Sequence, residues 1–429
     1  MKKILILLLL LQGALMATSV TDIQIKDAKV PVVFEEGDYI PIVSIQLVFT
    51  NAGHLNNTID GLADMSARLM NEGTSKEGSI GFATKLDAHA VELGAHVGRE
   101  SFIIEVSALK SEFPYAVERL VELLNDPNYT QEALDQIKHQ KIGWLTQKKG
   151  DFDYIAASSL RETLFKGSAL ARPYDGTLES IENMSLDDIK TFISTHLGYN
   201  NVIGLVGGDI SFKEAEKYLR EIIAAFPKVQ SREMKKIKAS ELKELVLIDE
   251  DTQQAYIFFG SPFNYSYKEE DQYKAKIAEY LLGGAGFGSR LMEEIRVKRG
   301  LTYGVYASLR RTKPVSYLSG YLQTKLSTQD EAKNLIQEVV DTFVKKGITQ
   351  KELDDTKKFL LGSEPLRTET LSQRLQRAYN DYYYGRPLGF SKEQLKKIES
   401  VTLEEMNSFI TSHKELSELS FSIVTKKKS

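Results

Sequence analysis

Two stretches of this chain repeat each other across more than two hundred residues. Residues 181–196, IENMSLDDIKTFISTH, and residues 398–413, IESVTLEEMNSFITSH, are identical at six of sixteen positions, at an offset of 217. Residues 130–138, TQEALDQIK, and residues 349–357, TQKELDDTK, repeat at an offset of 219. Two matches at nearly one spacing mark a duplication. The 429 residues therefore divide into two like halves rather than the three ordinary domains that length alone suggests. The run at 228–245, KVQSREMKKIKASELKEL, is charged and poor in large apolar residues, and is expected to link an N-terminal half at 18–227 to a C-terminal half at 246–429.

Each half reads as α+β. Ile45, Leu47 and Phe49 alternate as strand residues do, and so do Phe102, Ile104 and Val106. Leu62, Met65 and Leu69 have helical spacing behind Asp60, which is expected to be the N-cap of a helix over 60–72. Further helices are expected at about 112–125, 130–148 and 154–166. The repeated unit opens on Ser185 and Thr402, hydroxyl caps followed by acidic first turns. Residues 202–206 and 421–424 then read as closing strands. Strands, then helices, then a closing strand predict in each half a mostly antiparallel sheet with helices on one face.

Composition narrows the chemistry. With 55 basic and 59 acidic residues there is no basic excess to pair with phosphates, which excludes a nucleic-acid reading on charge. There is no cysteine, so disulfides, thiolate zinc sites, iron–sulfur clusters, cysteine nucleophiles and a lipid-anchored leader are excluded. Residues 1–17, MKKILILLLLLQGALMA, place Lys2 and Lys3 before an apolar run at 4–11 and end on Ala17. That is the layout of a secretory signal peptide and predicts export to the periplasm. Of the six histidines, His89 and His96 lie seven apart, two turns on a shared helix and too far for one ion, while His196 and His413 fall at equivalent places in the repeat and read as structural.

Residues 61–74, GLADMSARLMNEGT, follow a strand and open a helix. In this frame the segment resembles the pitrilysin-type zinc peptidases, or inverzincins, which include the mitochondrial processing peptidases. Active members carry H-x-x-E-H on this helix. Two histidines one turn apart bind zinc and the glutamate activates its water. Gly61, Ala63, Gly73 and Thr74 keep the frame, but Asp64, Ala67 and Arg68 stand where the first His, the Glu and the second His belong. A guanidinium cannot be deprotonated to serve as a ligand. The resemblance places a third ligand, a Glu, about 75 residues on, and residues 136–150 hold no carboxylate. No metal is therefore expected in this chain.

Residues 283–306, GGAGFGSRLMEEIRVKRGLTYGVY, keep more. A phosphate-loop reading fails, because G-K-[ST] is missing and a helical segment rather than a strand precedes the glycines. The run Ser289-Arg290-Leu291, Arg296, Gly300-Leu301 and Tyr303 looks like the second half of the same family, in which an Arg and a Tyr reach the active site. The resemblance implies that role for Arg296 and Tyr303, and that of a substrate loop for Gly283, Gly284, Gly286 and Gly288. Some family members are two chains, one with zinc and one without. This sequence has the signature of the second kind. The resemblance thus implies an exported non-catalytic subunit, inactive alone, paired in a heterodimer with an H-x-x-E-H-bearing chain that holds the zinc and cleaves unfolded peptides. The alternative is a non-proteolytic scaffold or peptide-binding relative.

Overall fold

A computed structural model describes residues 18–427. The expected signal peptide at 1–17 lies outside the described residues. The first half runs β1 (Ser19–Ile25), β2 (Ala28–Glu36), β3 (Ile42–Thr50), α1 (Leu62–Met70), α2 (Gly78–Ala88), β4 (Glu92–Val97), β5 (Ser101–Leu109), α3 (Phe113–Asn125), α4 (Gln131–Lys148), α5 (Phe152–Leu164), α6 (Leu178–Asn183), α7 (Leu186–His196), β6 (Val202–Gly208) and α8 (Phe212–Ile223). The second runs β7 (Leu245–Asp249), β8 (Gln254–Pro262), α9 (Gln272–Glu279), β9 (Val305–Arg311), β10 (Ser316–Lys325), α10 (Gln329–Lys346), α11 (Gln350–Gly362), α12 (Leu371–Tyr383), α13 (Phe390–Ser400), α14 (Leu403–Ser412) and β11 (Ser420–Thr425).

The strand orders are β1-β2-β6-β3-β5-β4 and β7-β11-β8-β10-β9. Apart from β1, they are the same sheet built twice. One pair in each, β2 with β6 and β7 with β11, is parallel, and every other pair is antiparallel. The repeated sequence unit forms α7 and α14, each opened by a capping box, at Ser185 with Asp188 and at Thr402 with Glu405. Each sheet packs its alternating apolar residues against helices of its own half, with Phe49, Phe102 and Phe192 in one core and Phe259, Phe343 and Ile336 in the other.

The opposite face of each sheet takes a helix from the other half. Leu160 and Leu164 of α5 share a cluster with Phe258 and Tyr317 of the second sheet. Leu375, Ala378 and Tyr379 of α12 lie on Val33, Val48, Ile203 and Leu205 of the first. The two helices hold the same place in the repeat. Glycine makes room for each: a Cβ on Gly207 would sit 2.4 Å from Leu375, and one on Gly260 would sit 2.8 Å from Leu164. Burying a leucine is worth about 1.5–3 kcal/mol, so this exchange binds the halves into one body.

Candidate functional site

Helix α1 does not begin as expected. Its cap is Gly61, at φ +83°, with no side-chain cap bond. Asp60 instead receives Arg172 Nε at 2.6 Å, and Asn57 Oδ1 accepts the Ala63 N–H at 2.9 Å. Gly61 is demanded twice over, by its positive φ and because a Cβ there would lie 2.9 Å from Gly176.

On this helix Ala67 is buried in the core, and Arg68 Nε donates to Asp64 Oδ2 at 2.8 Å. The same carboxylate oxygen lies 2.9 Å from the ammonium of Lys141. Lys141 comes from α4, which spans most of 136–150, where the resemblance puts the third ligand. Its side chain is 1% exposed and also reaches Asp175 at 3.1 Å and the Trp144 ring at 4.3 Å. An unpaired buried ammonium costs several kcal/mol, and two carboxylates with one ring face offset that. Burial pushes the Asp64 carboxyl up, but Lys141 and Arg68 outweigh it and hold it below the usual carboxylate range. Beside them His54 stacks on Tyr174 at 5.5 Å. Burial lowers its pKa, with Asp64 and Asp175 opposing. A carboxylate, an alanine, a guanidinium and an ammonium do not fit zinc. Among the described residues no group of three His, Asp or Glu side chains is placed to hold a metal.

The second-half segment is built from irregular helix. α9 runs into a π-helical turn at Tyr280–Gly284, and another at Met292–Val297 carries Arg296. Single π turns are rare and gather at functional sites. The four glycines between and beside them differ. Gly283 is buried, because a Cβ there would meet Ala307 of β9 at 2.6 Å, so its smallness serves packing rather than an exposed loop. Gly284 lies against the Glu279 carbonyl, 3.1 Å from where its Cβ would be. Gly286 has φ +56° with open space around it. Gly288, with Phe287, Arg290 and Glu352, lines a groove of about 810 Å³.

The Arg296 guanidinium lies 4.4 Å over the Phe287 ring, and that ring is 66% exposed. Gly300, at φ +62°, turns the chain toward β9, and Tyr303 there is 91% exposed. No hydrogen bond or ring contact joins Arg296, which is half-buried, to the exposed Tyr303. Arg290 of the same motif is structural. It forks onto Glu352 at 2.7 and 2.9 Å, and Glu352 also accepts from the Thr349 N–H that opens α11. Burial opposes ionisation of Glu352, yet Arg290 and Thr349 take its pKa down to about 2.

The far faces of the two sheets also differ. In the first, Gln46, Glu105 and Gly94 stand side by side across three strands. The corresponding row of the second is Phe258, Tyr321 and Tyr306, with ring centroids 5.5 and 5.7 Å apart. His89 ends α2 and bonds Glu112 at 2.7 Å, whereas His96 lies in β4, so they do not share a helix. His196 stacks on Phe192 and bonds its carbonyl, and burial beside Arg232 lowers its pKa to about 4. Sequence reasoning missed Lys141, Asp175 and Phe287. A lysine inside the region searched for a carboxylate was the one visible signal.

Residues 32–178 match the family model for insulinase, peptidase family M16, and residues 183–360 match the model for the peptidase M16 inactive domain. A protein of Helicobacter pylori described as the non-peptidase homolog YmxG is 42% identical over 430 residues, covering 100% of this chain and 99% of that one. The solved peptidase M16 inactive domain from Pseudomonas fluorescens superposes with a TM-score of 0.87 at 23% identity, over 96% of this chain and 99% of that one. The periplasmic protease PqqL of Escherichia coli gives a TM-score of 0.75 at 15% identity, over 95% of this chain and 48% of that one. At these identities the two structures speak for the fold alone.

Proposed function

The chain belongs to the M16 peptidase family as a member without the catalytic residues, and we propose that it is the exported helper subunit of a two-chain zinc peptidase. The observation that carries this reading is the contrast in how its charged groups are used. Where the family's metal ligands belong, the charges pair with one another, Arg68 and the buried Lys141 on Asp64, and Lys141 on Asp175. At the second-half segment the side chains of Arg296 and Tyr303 are without an ion pair or hydrogen bond among the described residues, Arg296 resting only on the Phe287 ring, on a backbone shaped by two π turns and Gly300.

Peptide hydrolysis develops negative charge on the scissile carbonyl oxygen, and preorganised donors aimed at that oxygen lower the barrier. A phenol and a guanidinium suit this task, and the fixed fork of Arg296 also suits substrate carbonyls. Gly286 and Gly288 allow a close approach of backbone to peptide, and Tyr321 and Tyr306, each 43% exposed, offer ring surface to an unfolded chain. The zinc is assigned to a paralogous partner with H-x-x-E-H. Export rests on the leader-like residues 1–17, and the fold of a periplasmic protease is compatible with it.

The test is purification of the tagged, processed chain from the periplasm, with partner identification by mass spectrometry and zinc quantified on the same fraction. A similar-sized H-x-x-E-H partner and about one zinc per pair are expected. A chain that purifies alone, without zinc and without peptidase activity, overturns the reading in favour of a scaffold or peptide-binding role.

A further inference from the structure

We infer that Asn71 closes the outer edge of the first sheet to the addition of a peptide strand. β4 is the last strand of that sheet and pairs only with β5. An unpaired edge presents a row of N–H and C=O groups that recruits extended chains, and edges left open are either docking sites or hazards. This edge runs beside α1, where the family frame has lost its chemistry. At its middle lies Ala95, whose N–H donates to Asn71 Oδ1 at 2.7 Å and whose carbonyl accepts Asn71 Nδ2 at 2.9 Å.

A primary amide carries an acceptor and donors in one plane. Asn71 therefore gives Ala95 the two bonds that a residue of a neighbouring strand would give. Its backbone is fixed at the end of α1, where its N–H bonds the Ala67 carbonyl. No strand can extend the ladder across Ala95 without displacing this side chain. The device holds in the isolated chain and does not depend on the two-chain reading. Its consequence is that a peptide handled by this chain does not pair with β4 at Ala95.

The test uses Asn71→Ala and Asn71→Asp in the full processed chain, with a fluorescein-labelled peptide of alternating valine and lysine as the probe. In Asn71→Ala, amide exchange at Ala95 is expected to speed up by about tenfold or more, the size of one lost hydrogen bond. The probe should bind that variant about tenfold more tightly than the wild type, with photo-crosslinks to β4. The aspartate keeps the acceptor for the Ala95 N–H but loses the donor, so it should fall between the two. Should Asn71→Ala fail to fold, Asn71→Asp carries the comparison. Three results would overturn the inference: unchanged exchange at Ala95, wild type binding the probe along β4 as tightly as the variant, or no binding by either variant.

Discussion

Helix α1 with α4, in the first half, and the segment from Gly283 to Tyr303, in the second, belong to two copies of one architecture yet treat charge in opposite ways. In the first, Asp64, Arg68, Lys141 and Asp175 form a closed set, with a 1% exposed ammonium at its centre. In the second, the ion pair of Arg290 with Glu352 anchors the segment, while Arg296 has no acidic partner and rests on the Phe287 ring, and Tyr303 is 91% exposed. The contrast shows how a fold can replace a site's charges with partners of its own. Removing metal ligands leaves a polar hollow, and such a hollow must be refilled by groups that satisfy one another. Side chains that add little to the fold's own bonding need another reason to be there.

The largest expected effect breaks the closed set. Lys141→Met leaves the carboxylates of Asp64 and Asp175 without their ammonium, and should destabilise the chain by about 3 kcal/mol in urea unfolding, the usual size for breaking a buried pair. Adding Asp64→Asn should recover a good part of that loss. Added zinc should not raise the melting temperature of the wild type. A Lys141→Met chain as stable as the wild type would mean that the cluster is incidental.

Next comes the open side. In the complex with a zinc-bearing partner, Arg296→Ala and Tyr303→Phe should each lower kcat by about 10²-fold, the scale of a lost oxyanion donor. Stability in urea should fall by no more than about 1 kcal/mol, because the Tyr303 side chain has no hydrogen bond and Arg296 has only its contact with the exposed Phe287 ring. Unchanged rates in both variants would leave the pair without a catalytic part.

The smallest effect sharpens the comparison by pH. The carboxyls of Asp64 and Glu352 have lowered pKa values in the fold, Glu352 at about 2. A depressed acid contributes stability above its unfolded pKa, about 4 for these side chains, and that contribution is lost as pH falls through the folded value. Stability should therefore decline from about pH 4 toward pH 2. Asp64→Asn should flatten the first-half share of the decline and Glu352→Gln the second-half share, followed by amide exchange in each core.

The duplication, the strand alternation, the capped repeat helices and the loss of three metal-motif residues were all legible in the sequence. Each is carried by local spacing or by identity between aligned segments, and hydrophobic period and cap chemistry act within a few residues. The limits of the expected helices agree within about two residues, although at the start of α1 an asparagine and a left-handed glycine take the place of the expected aspartate cap. The features that no local pattern carried join partners far apart in the chain. Lys141 meets Asp64 and Asp175, Asn71 meets Ala95, and α5 and α12 cross to the opposite sheets. No period or motif announces such pairs. They are set by which surfaces two packed halves leave bare, and by the need of every buried polar group to find a counterpart once water is gone.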